Sequence, residues 1–165
     1  MSGDPGRSAG EARARIRSAL GELVKADEAE FGLLLEDSGI VSAAAGSPGK
    51  TDPVAFGSLA SAYVAAVSDL APALGGGRFS QLLQTGPRSR IRLLPMPAGR
   101  AAVLLHRSRG ATEGGLDEEG PDAAPLEAAI RALAKVETRA GDRRVGREWI
   151  RAAEHEIDRI FREKS

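Results

Sequence analysis

The chain has 165 residues, with 23 basic and 23 acidic side chains and no cysteine. That length allows one domain plus appendages, with a real core. The charge balance offers no bulk electrostatic drive toward nucleic acid, and the lack of cysteine excludes disulfides, thiolate chemistry and cysteine-based metal sites. The opening MSGDPGRSAGEARARIRSAL has no apolar signal-peptide core, and no run reaches the ~18 apolar residues of a bilayer span. A cytoplasmic protein without membrane insertion is the default expectation.

In chain order, residues 1–10 are small, polar and contain Pro and Gly, so they are expected to be disordered. From Glu11 to Lys25, Ile16, Leu20, Leu23 and Val24 fall on one side of a predicted helix, with Arg13, Arg15 and Arg17 elsewhere. Phe31 to Leu35 is continuously apolar, as in a strand covered on both faces. Glu36-Asp37-Ser38-Gly39 then has the turn chemistry of a hairpin leading into a second strand.

The long helix expected from about Asp52 to Gly76 organises the rest. Thr51 and Asp52 can cap it, Pro53 sits where a missing N–H costs nothing, and Gly75-Gly76-Gly77 stops it. Phe56, Leu59, Tyr63, Val67, Leu70 and Leu74 form one stripe, expected to face the core. Gly57, Ser61, Val64, Ser68 and Ala71 form a second, built of small residues, and Asp69 is the only charge between Pro53 and Gly76. A helix without charge around most of its circumference is buried on more than one side. The small stripe is therefore expected to meet a second copy, since small side chains let backbones approach and most oligomers are symmetric.

Three strands follow, Arg78 to Thr85, Ser89 to Met96 and Arg100 to Arg107, separated by Gly86-Pro87 and Pro97-Ala98-Gly99. The order predicts an α+β fold: a five-stranded, mainly antiparallel sheet with helices on both faces. Residues 109–122 are Gly-rich and acidic and read as a linker. Residues 123–165 hold two helices, the second placing Val145, Trp149, Ile157 and Phe161 on one face. Whether these helices dock on the domain is left open by the sequence.

Ala44 to Thr51, AAGSPGKT, fits a permissive phosphate-loop pattern between a strand and a helix. The helix starts too late to aim its first N–H groups at a phosphate, and Asp52 puts negative charge where phosphate charge would go. His106 and His155 lack a partnered ligand arrangement, and neither has a nearby nucleophile. No catalytic, cofactor or metal site is therefore expected. Arg88, Arg90 and Arg92 alternate along one strand and are candidates for contact with an acidic partner or a nucleotide-hydrolysing protein.

The run LVKADEAEFGLLLEDSGIVSAAAG, followed by DPVAFGSLASAYVAAVSDLAPALGGGRFSQLLQTGPRSRIRLLPMPAGRAAVLLHRS, resembles the Roadblock/LC7 family over about residues 12–108. The order of the pieces carries the resemblance: an apolar strand into an acidic turn, the long helix, the Gly-Gly-Gly exit and the closing apolar strand. The resemblance implies a domain over 11–108 with that family's profilin-like sheet. It implies a homodimer or heterodimer built through Gly57, Ser61, Val64 and Ser68, with an edge strand carrying Phe79, Gln81 and Leu83. It further implies a non-enzymatic scaffold that regulates a small Ras-like GTPase. The alternative is a structural adaptor gripping another protein through Trp149, Ile157 and Phe161 of the tail.

Overall fold

A computed structural model describes residues 5–77, 79–107 and 120–138. Its elements run α1 (Pro5–Ala26), β1 (Phe31–Leu35), β2 (Val41–Gly46), α2 (Pro53–Ala73), β3 (Leu82–Thr85), β4 (Ser89–Pro95), β5 (Ala101–Arg107) and α3 (residues 124–138). The sheet is antiparallel throughout, in the order β2-β1-β5-β4-β3. β1 is an interior strand and buried at all five positions, as its uninterrupted apolar run requires. β2 and β3 are the two edges.

α1 begins earlier than the composition of residues 1–10 implies. Proline at its first position needs no N–H partner, and Arg7 pairs with Glu11 across one turn at 3.7 Å. Ala12, Ile16, Leu20, Leu23 and Val24 pack on Leu34, Ala43, Ala102 and Leu104 of the sheet. α3 joins the same cluster: Leu126 and Ile130 are fully buried, so the first helix after the linker is part of the domain core. Glu137 near its end reaches Arg100 at 3.4 Å, and Arg100 also pairs with Glu36 at 2.7 Å. Burial alone would lower the Arg100 pKa, but the hydrogen bonds and charges of Glu36 and Glu137 outweigh it and raise it above its ordinary value.

The opposite face carries α2 over Phe31, Leu33, Leu35, Leu93, Val103 and Leu105. Asp52 caps the helix, accepting from the N–H groups of Val54 at 2.9 Å and Ala55 at 3.4 Å. At the far end the Leu74 N–H returns to Leu70 and that of Gly75 to Pro72, and the chain leaves with Gly75 in the left-handed region at φ 68°.

Candidate interaction surfaces

α2 contradicts the expected assignment of its two stripes. Gly57 is buried and Val64 half-buried on the sheet side, while Leu59, Leu70 and Leu74 of the large apolar stripe are 73%, 49% and 66% exposed. Phe56 and Val67 of that stripe are half-buried. The physical reason lies at Gly57, where a Cβ would come 2.8 Å from Val41 Cγ2 and 3.5 Å from Leu35 Cδ2. Small residues there admit the hairpin beneath the helix. Gly57, Ser61 and Val64 therefore do not form an outward surface. Ser61 is half-buried beside the β1–β2 turn, and Ser68 is exposed at the mouth of a cleft.

That cleft, of about 610 Å³, separates the second half of α2 from the upper ends of β3 and β4. Val64, Ala71, Phe79, Leu82 and Leu93 line its apolar part, and Asp37 and Asp69 lie at its polar margin. The helix thus covers only part of its sheet face. α2 is also 21 residues long and apolar enough, by length and composition, to cross a bilayer. This corrects the expectation that no run is long and apolar enough: alanine and serine dilute the obviously apolar residues along α2 and hide its length. In this fold the helix lies along a sheet.

Strand β3 starts later than expected, at Leu82. Phe79 and Gln81 precede it; Gln81 turns away from the edge and accepts from Arg92 Nη1 at 2.5 Å. Leu83 lies on the edge itself and is 43% exposed.

The three arginines part company. Arg88 is exposed and Arg90 half-buried, but Arg92 is entirely buried. Its Nε donates to Asp27 Oδ2 at 3.0 Å, and His106 Nε2 lies 2.9 Å from the same oxygen, off the line of a hydrogen bond. Arg92 is thus removed from the candidate partner residues, because a charge desolvated this far is held by its own counter-charge. Asp27, the residue that holds it, escaped sequence reading: nothing local marks it, and its partners are 65 and 79 positions away, as 92 − 27 and 106 − 27. Gln84 pairs with Ile91 and so lies on the α2 face, away from Arg90 and Arg92.

The phosphate-loop likeness resolves as something else. Arg107 Nη2 donates to the Pro48 carbonyl at 2.7 Å and to Thr51 Oγ1 at 2.8 Å, and its guanidinium fills the space a Cβ at Gly49 would need. The loop cradles a cation with oxygen acceptors, the reverse of a phosphate site. Among the described residues, no group of three His, Asp or Glu side chains is placed to hold a metal ion. Trp149, Ile157, Phe161 and His155 lie outside the described residues.

The described residues form an α+β domain with β3 at one edge of its sheet and with exposed apolar side chains on α2. No protein-family model and no curated protein matches the chain. Among solved structures it is similar to Myxococcus xanthus MglB, at 20% identity over 79% of this chain and 90% of that one, with a TM-score of 0.56. It is similar also to the gliding protein MglB of Thermus thermophilus, at 22% identity over 82% and 93%, with a TM-score of 0.52. A third, an MglB with tetrameric arrangement, is 22% identical over 85% and 95%, with a TM-score of 0.54. Likeness at this identity establishes the fold: the chain has the Roadblock/LC7 architecture expected from its sequence.

Proposed function

We propose that the protein is a non-enzymatic, self-associating cytoplasmic platform that regulates a small Ras-like GTPase. The observation that carries the reading is the apolar flank of α2, formed by Leu59, Tyr63 and Leu70, which no described residue covers, on the face whose edge strand β3 has no further strand beside it among the described residues. Exposed apolar area of this kind marks an interface. A two-fold pairing of that flank with its counterpart, and of β3 with β3, covers both at once and closes the assembly as a dimer. This moves the self-association surface from the small stripe to Leu59, Tyr63, Leu70, Phe79 and Leu83. The exposed Arg88 and the half-buried Arg90 at the β3–β4 end are its candidate GTPase contacts. The GTPase link rests on the Roadblock/LC7 resemblance and on the MglB neighbours.

The test is the solution mass of the full chain beside a Leu59→Arg, Leu70→Arg variant. A dimer that becomes a folded monomer is expected, and a monomeric wild type at tens of micromolar defeats the dimer. For the regulatory part, binding to a small Ras-like GTPase loaded with GDP or a GTP analogue should differ between the two states; equal affinity removes it. Removal of residues 139–165 should leave that binding intact. Its loss would favour an adaptor acting through Trp149, Ile157 and Phe161.

A further inference from the structure

The second sheet edge, β2, lies at the other end of the sheet from β3. Its sequence, VSAAAG, carries no charge and no proline, the usual guards of an exposed edge. The Ser47 N–H donates to the Glu30 carbonyl, so Phe31 and Gly46 form a pair without mutual hydrogen bonds, and by alternation Leu33 and Ala44 do too. Ala44 and Gly46 therefore turn their N–H and C=O groups away from β1. Both residues are exposed, and neither has a partner for these groups among the described residues. The bulge opposite Leu34 and Leu35 disturbs only the other end of the strand.

Above this edge lies α1, which packs more extensively on β2 than on any other strand. It runs antiparallel to β1, and its right-handed winding carries the positions that follow Ala12 and Ile16 onto the flank over the open edge. Those positions are Arg13 and Arg17, one turn apart. Both are exposed and have no ion pair among the described residues, unlike Arg7 and Lys25 on the same helix. A second copy of β2 placed here by a two-fold axis would bring a second Arg13 and Arg17 beside the first pair, which like charges oppose.

We infer that the β2 edge, with Arg13 and Arg17 above it, receives an extended acidic segment of a partner protein as a sixth strand. Main-chain bonds to Ala44 and Gly46 supply the pairing, and the small side chains of β2 leave the added strand's own side chains unhindered. The ladder is short, so carboxylates at alternate positions of the segment, reaching the two guanidinium groups, decide affinity and partner choice. The surface is independent of the α2 flank and stays available in the proposed dimer.

The probe is a blocked ten-residue peptide alternating valine and glutamate, labelled and titrated with the full-length protein by fluorescence anisotropy. Binding is expected, with at least tenfold weaker binding of the valine–lysine counterpart and a marked loss at raised salt. Ala44→Pro removes an outward N–H and is tolerated at an edge. It should abolish binding while circular dichroism and melting temperature stay near wild type. Arg13→Glu, Arg17→Glu should weaken the acidic peptide tenfold or more and improve the lysine peptide. Lack of binding, or binding that ignores both variants, overturns the proposal. So does wild-type self-association that Ala44→Pro abolishes, which would assign the edge to a second copy.

Discussion

The two faces of the sheet are built on different terms. On one, α1 and α3 seal Leu34, Ala102 and Leu104, and at its margin the buried Arg92–Asp27 pair holds the end of α1 to β4, with His106 of β5 beside it. On the other, a single helix made largely of small residues touches β1 and leaves a cleft beside it and apolar side chains outside. The first face has spent its apolar surface on its own fold. The second leaves part of that surface exposed among the described residues, which is what the proposed self-association requires.

The largest test of this contrast is Arg92→Met. It leaves Asp27 buried without its main counter-charge and should lower the unfolding free energy by about 3–5 kcal/mol in a urea titration. Replacing both partners, as Asp27→Leu with Arg92→Met, should recover most of that loss; if it does not, the network contributes more than mutual neutralisation. Next in size is a paired comparison. Ile130→Ala, in the sealed face, should cost about 2–5 kcal/mol. Leu59→Ala, on the open flank, should stay within about 0.5 kcal/mol when measured at a concentration where the protein is monomeric. Equal costs would mean that α2 is buried in the free chain and the contrast fails. The smallest is Asp52→Ala, which removes the cap of α2 and should cost about 1 kcal/mol, read as a shift in the urea midpoint.

Much of the fold was legible because it follows from local rules. The apolar run of Phe31 to Leu35 reads as an interior strand, the acidic turn before Gly39 as a hairpin, and Thr51-Asp52-Pro53 as a helix start. The order of these pieces is enough to point to Roadblock/LC7. The surfaces were less legible. Both stripes of α2 were found by periodicity, but periodicity gives the angle between stripes and not which one meets the sheet. Size alone assigns the core to the larger residues, whereas close approach to Val41 gave it to Gly57. The three alternating arginines suffer from the same limit, since only contact with Asp27 separates the buried Arg92 from the exposed Arg88.

The sequence by itself determined where most helices and strands begin and end to within a few residues, and that the sheet is mainly antiparallel, because elements and hairpins depend on neighbours along the chain; the β1–β5 pairing does not. Tertiary structure alone decided which face of α2 is covered, that α3 belongs to the core, that Arg107 occupies the loop after β2, and that Ala44 and Gly46 lie exposed on an edge strand. Each of these is set by which distant segment occupies a shared space. Packing and desolvation settle that competition, and no local propensity records its outcome.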